Sequence, residues 1–276
     1  MAGKSWWERL AEYNRQQETQ QAEQWAALAA RLSKRKPAQA EPLAILPAGK
    51  QAAGLSFDNN SRYLQLAFNH DLSTAVGVLP KIVRDPRIMI EAGTPFIKRE
   101  GMAGVRALAR SAPGITVADM KVSDGAVDEV RMAAQAGARA ITVLGSSPVE
   151  TLRLFIETCK QMGMISMIDM LGVEDPLTVL RPLYTPPDVV VIHRGRDEES
   201  NRAKMIRYRH ISRIRSKYDV MISAAGGVNL REARSAVFNG ANIVVVNVVR
   251  PGDPWDGIRT SDDITALTQQ FLETIA

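Results

Sequence analysis

The chain has 276 residues, 45% of them hydrophobic and 24% charged, which is the balance of an ordinary globular protein with one large domain. A single cysteine, Cys159, excludes an internal disulfide and fits a reducing compartment. The net charge of +5 comes from 35 basic and 30 acidic residues spread along the chain. Without a basic stripe this argues against nucleic acid as a partner and suits a phosphorylated small molecule.

Residues 1–60 read as a helical arm and linker. Trp6, Leu10 and Tyr13, then Trp25, Leu28 and Leu32, recur at helical spacing, and a linker rich in Pro, Ala and Gly follows. The arm suits self-association, partner docking or cover for the chain's own surface, and its sequence names no partner. Glu8, Arg9 and Glu12 break any apolar stretch at the start, so neither a secretory signal nor a transit peptide is expected. No run of about 18 apolar residues is present, so no membrane helix is expected and the cytoplasm is the expected compartment.

From residue 61 the pattern changes. Short apolar runs at 63–68, 87–91, 115–119, 138–144, 165–169, 189–193, 220–224 and 243–246 predict eight strands. Amphipathic stretches at 124–136, 148–162, 203–217 and 230–239 predict helices between them, with Gly137, Gly163 and Gly240 at their C-terminal ends. Strands alternating with helices imply parallel pairing and right-handed crossovers. Asn69-His70-Asp71 follows the first strand where a dinucleotide-binding fold carries a glycine-rich turn. The expectation is therefore a (β/α)8 TIM barrel over residues 61–276.

Catalytic groups in such barrels project from the C-terminal strand ends. Those ends are polar here: Asn69, Glu91, Asp119 with Lys121, Asp169 and His193, and then Gly226-Gly227 after strand seven. Asp119 and Lys121 share a face in an extended segment, and Asp124 follows. A lysine between two carboxylates stays charged and rigid, ready to stabilise a developing anion. A purely structural reading has Asp124 as the N-cap of the third helix. His210, within a basic helical stretch, is expected at the surface.

Asp119-Met120-Lys121-Val122-Ser123-Asp124 at the end of strand three resembles the signature of the orotidine-monophosphate-decarboxylase superfamily. Ile90-Glu91-Ala92-Gly93-Thr94-Pro95-Phe96, Thr142-Val143-Leu144-Gly145, Ile168-Asp169-Met170-Leu171-Gly172 and Ala225-Gly226-Gly227-Val228 are similar to the 3-hexulose-6-phosphate synthase branch. That resemblance implies an aldehyde-lyase joining formaldehyde to ribulose 5-phosphate, or running in reverse, through an enediolate. It implies Mg2+ with Glu91 and Asp119 as ligands, catalysis by Lys121, Asp119 and His193, and a homodimer in which Asp124 completes the neighbour's site. Asn69, Asp169, Arg196, Gly226, Gly227 and Arg250 would bind the phosphorylated sugar. His193-Arg194-Gly195-Arg196 also resembles 3-keto-L-gulonate-6-phosphate decarboxylase, a carboxy-lyase using the same intermediate.

The chain departs from the family pattern twice. Asn69 stands where the family has aspartate, and Asn247-Val248 stand where it has glycine followed by glycine or arginine around the phosphate. The resemblance therefore leaves open the capture of phosphate at strand eight, and also a barrel used for binding alone.

Overall fold

The computed structural model describes residue 58, residues 60–201 and residues 203–276; the arm expected in residues 1–60 lies outside these apart from Asp58 and Asn60. Eight strands form a closed parallel barrel: β1 Tyr63–Phe68, β2 Ile88–Ala92, β3 Ile115–Val122, β4 Ala140–Leu144, β5 Ile165–Asp169, β6 Val189–His193, β7 Met221–Ala225 and β8 Ile243–Val249. Each pairs with the next, and β1 closes on β8 from Tyr63↔Ile243 to Phe68↔Val248. The TIM barrel expected from the alternation is the fold observed. A two-residue strand, β9 Ile258–Arg259, adds to the outer end of β8 through Val248↔Ile258 and Val249↔Arg259.

The helices are α1 Leu72–Val78, α2 Thr94–Ser111, α3 Ala126–Gln135, α4 Val149–Met162, α5 Pro176–Leu180, α6 Arg209–Arg215, α7 Leu230–Phe238 and α8 Ile264–Ile275. Gly163 caps α4 in the left-handed region, and Gly137 and Gly240 lie one residue beyond the caps of α3 and α7, also at positive φ. The strands are rich in β-branched residues because they are buried on both faces. Their outward side chains, including Leu64, Ile90 and Ile222, join helix residues such as Phe155 in the larger core. Their inward side chains, including Met89, Val117, Met167 and Val245, fill the barrel. Among the described residues no helix is long and apolar enough to cross a membrane.

Three local expectations are corrected. The helix expected over 203–217 is confined to Arg209–Arg215. The Asn201 carboxamide accepts from the Ala203 amide at 3.0 Å, which offers the backbone a turn in place of a helix, and buried Ile206 pins the loop that follows. His210 is only 4% exposed, because it shares the inward face of α6 with Ile211 and Ile214. Asp124 does not cap α3; Gly125 does, at φ 64, a backbone geometry that a side chain would strain.

Candidate active site

Alternation along each strand decides what reaches the C-terminal mouth. Inward positions deeper in the barrel are mostly apolar, whereas towards the mouth they are Glu91 on β2, Asp119 on β3, Asp169 on β5 and His193 on β6, with Thr142 one inward position below Leu144 on β4. On β3 the ladder to β4 passes from Ala118↔Ile141 directly to Val122↔Val143. The residues between them bulge, and Lys121 takes φ 48, the only non-glycine positive φ among the described residues. Left-handed backbone at a lysine is strained, and strain of this kind gathers at functional sites.

The bulge aims Lys121 Nζ back over Asp119, where it donates to Oδ1 at 2.8 Å and Oδ2 at 2.9 Å. It also donates to Asp169 Oδ2 at 2.7 Å. The lysine therefore does lie between two carboxylates, but the second is Asp169 and not Asp124. Asp124 is exposed, and its carboxylate accepts from the neighbouring Gly125 amide at 2.8 Å. Asp169 in turn accepts from His193 Nδ1 at 2.9 Å and from the Leu171 amide at 2.9 Å. Asp119 is held further by the hydroxyls of Thr94 and Thr142, each at 2.8 Å.

This is a buried chain of alternating charge. Burial pushes the Lys121 ammonium down, but Asp119 and Asp169 outweigh it and hold the group above the usual lysine range. Burial raises Asp169, yet His193 and Lys121 overcome it and hold the carboxyl well below the usual carboxylate range. His193 is lowered by burial and raised more strongly by Asp169, so it keeps its proton more readily than a free histidine. Glu91 differs: burial, and then the charge of Asp119, push it up to about 7. Its Oε2 accepts from Gln65 Nε2 at 2.5 Å. Glu91, buried beside the Asp119 carboxylate with a single amide donor, fits a divalent cation, whose charge would offset both its desolvation and that repulsion. Among the described residues no group of three or more His, Cys, Asp or Glu is arranged to hold a metal, so such an ion would need oxygens from water or substrate.

The two departures from the family pattern touch each other. Asn69 Nδ2 donates to Asn247 Oδ1 at 3.0 Å, joining the ends of β1 and β8. An aspartate at 69 could keep this bond only as the acceptor, with the Asn247 amide turned over to donate. The same loops are laced further out by His70 Nε2 and Asp253 at 2.9 Å, and by Arg250, whose guanidinium bonds Asp71 and Thr74. Arg250, expected on the substrate, is committed to this lacing. Val248 is buried and pairs with Ile258 of β9.

Gly226 and Gly227 have a packing reason of their own. A Cβ at Gly226 would sit 2.1 Å from the Arg194 carbonyl oxygen, and one at Gly227 would sit 2.4 Å from Arg194 Nη2 and 2.9 Å from Glu199 Oε2. Arg194 Nη2 donates to Gly226 O at 3.0 Å, and Arg196 lies over the Trp255 ring at 5.2 Å from its centroid. Sequence reasoning missed Gln65, Thr94, Thr142, Arg194 and Glu199 as residues of this region. Gln65 and Thr142, polar side chains at inward positions of otherwise apolar strands, carried a readable signal; Thr94, Arg194 and Glu199 carried none.

Residues 62–248 match the family described as orotidine 5'-phosphate decarboxylase / HUMPS. The bifunctional enzyme Fae/Hps of Methanothrix thermoacetophila is 37% identical over 215 residues, covering 77% of this chain and 52% of that relative. The chain thus spans about half the length of the curated relatives it matches. Among solved structures, 3-hexulose-6-phosphate synthase from Salmonella typhimurium superposes with a TM-score of 0.67 at 26% identity, over 77% of this chain and 98% of that one. The 3-keto-L-gulonate-6-phosphate decarboxylase from Vibrio cholerae shares the fold, with a TM-score of 0.61 at 22% identity over 78% of this chain and 97% of that one. With barrel, strand-end ring and sequence match in agreement, the chain belongs to the orotidine 5'-phosphate decarboxylase / HUMPS family.

Proposed function

We propose that the barrel is a 3-hexulose-6-phosphate synthase-like lyase, joining formaldehyde to ribulose 5-phosphate or running in reverse. The observation that carries this reading is Lys121 Nζ held between Asp119 and Asp169 beside His193. A cation fixed at 2.7–2.9 Å from two carboxylates is preorganised to hydrogen-bond an oxygen that gains charge, without reorganising during the reaction. The neutral form of His193 takes a proton from the carbon beside the substrate ketone, which makes such an oxygen, and the enediolate's carbon then bonds to the formaldehyde carbon as that carbonyl's π bond breaks. The formaldehyde oxygen takes the proton back from the His193 imidazolium. His193 has Nδ1 engaged by Asp169, so Nε2 is the nitrogen that carries the proton at the adjacent carbon.

Glu91 and Asp119 would hold Mg2+, supplying positive charge for the substrate's oxygens. The phosphate would lie near Gly226, Gly227 and Arg196, because Asn247-Val248 stand on the β8 side where the family has glycine followed by glycine or arginine. The decarboxylase reading keeps one observation of its own: Arg196, three residues after His193, is oriented by Trp255 at the mouth.

Purified protein given ribulose 5-phosphate and Mg2+ is expected to consume formaldehyde, with at least a roughly tenfold loss after chelation of the metal. Absence of consumption, with carbon dioxide released from 3-keto-L-gulonate 6-phosphate instead, would replace this reading by the decarboxylase.

The exposed position of Asp124, away from its own Lys121, supports a homodimer that completes each site across the interface. Asp124→Asn and Lys121→Ala are each expected to be inactive alone. Co-expressed, they should recover about a quarter of wild-type activity, since half the dimers are mixed and half their sites intact. No recovery from a preparation shown to contain mixed dimers rejects the shared site.

A further inference from the structure

Thr142 ends in the middle of the catalytic chain without belonging to it. It stands on β4 opposite the bulge of β3, and it is 4% exposed. Its hydroxyl does two things at once: it accepts from the Lys121 backbone amide at 3.0 Å and donates to Asp119 Oδ1 at 2.8 Å. One oxygen thus ties the strained residue to the carboxylate that receives that residue's own ammonium.

The bulge explains why such a tie is needed. Between Ala118↔Ile141 and Val122↔Val143 the β3 backbone leaves its ladder, so the Lys121 amide has no β4 carbonyl opposite it. A buried amide left without a partner is costly, and a lysine at φ 48 is held there only if its surroundings over-determine it. The Thr142 hydroxyl meets the first need and, through Asp119, contributes to the second. Thr94 also donates to Asp119, at Oδ2, but the Thr94 hydroxyl does not reach the Lys121 backbone. Thr94 thus holds Asp119 alone, whereas among the described residues Thr142 joins the Lys121 amide to the Asp119 carboxylate.

We propose that Thr142 is a positioning residue: its hydroxyl holds Lys121 in the left-handed bulge and so sets where Nζ stands. The role rests on the reading of Lys121 as the group that meets the reacting oxygen, and it makes no contact with substrate itself. Displacement of Nζ by about 1 Å should act on the chemical step more than on binding, with a loss on the order of 10²-fold.

The test compares Thr142→Val, which keeps shape and removes the hydroxyl, with Thr142→Ser, which keeps the hydroxyl. Thr142→Val is expected to lower kcat about 100-fold with KM within roughly threefold of wild type. Thr142→Ser should stay within about threefold in kcat. If the valine variant does not fold, Thr142→Cys takes its place against serine, since sulfur is a much weaker donor and acceptor. A crystal structure of the valine or cysteine variant should show Lys121 out of the left-handed region and Nζ displaced from Asp169. That structural arm reads Thr142 whichever reaction the barrel performs, whereas inactivity of the wild type would overturn the function alone. Lys121 unmoved in the variant, kcat within twofold for valine or cysteine, or serine as impaired as valine would each overturn the proposal.

Discussion

Lys121→Ala is expected to lower kcat by at least about 10³-fold, the scale on which loss of one preorganised donor to a developing oxyanion is felt. The substitution also leaves the Asp119 and Asp169 carboxylates facing the vacated position, both buried. Breaking a buried ion pair by removing one partner costs about 3–5 kcal/mol, and one carboxylate then takes up a proton. At about 2–4 °C per kcal/mol for a domain of this size, melting should fall by roughly 6–20 °C. Activity is therefore measured well below the variant's own melting temperature, with circular dichroism establishing that the barrel is intact. A folded Lys121→Ala protein that turns over within tenfold of wild type would remove Lys121 from the mechanism.

Asp169→Asn should have an effect of similar size by another route. Asp169 is the acceptor shared by Lys121 Nζ and His193 Nδ1. A carboxamide there leaves two cationic groups without their common counter-charge and frees the imidazole to turn. A loss of about 10²–10³-fold in kcat is expected, together with destabilisation that depends on pH.

The direction follows from the two shifts. The Asp169 pKa is depressed below the ordinary 3.8, so its stabilisation is present above that value and is lost as pH falls. The His193 pKa is raised above the ordinary 6.5, so its stabilisation is complete below that value and fades as pH rises through the folded-state value. The difference in melting temperature between wild type and Asp169→Asn should therefore be largest between about pH 4 and 6.5 and should shrink on either side. Glu91, pushed up to about 7, titrates in both proteins and does not reverse that trend. A difference that instead grew steadily above pH 8 would mean that His193 is not held in its charged form by Asp169.

Much of the barrel was legible in the sequence because strand and helix periodicity are written within about ten residues. The runs at 63–68, 165–169 and 189–193 coincide with β1, β5 and β6, and Gly137, Gly163 and Gly240 end their helices at positive φ as expected. Glu91, Asp119, Lys121, Asp169 and His193 were readable as a ring for the same reason: each ends a strand, and parallel strands in a barrel put those ends on one rim.

What the tertiary structure decided is the pairing within that ring. Lys121 takes Asp169, 48 residues away, in preference to Asp124, three residues away. The bulge in β3 turns the ammonium inward, while Gly125 at φ 64 carries the chain, with Asp124, outward. Closure of β1 on β8 likewise brings Asn69 to Asn247, so two departures that look unrelated in sequence become one hydrogen bond. His210 changes from an expected surface residue to a buried one by the rotation of a seven-residue helix. The physical reason is common to all three. Local periodicity specifies which face of an element is apolar, and so the fold class. Which polar groups meet depends on barrel closure, on a bulge and on side-chain reach, none of which has a period in the sequence.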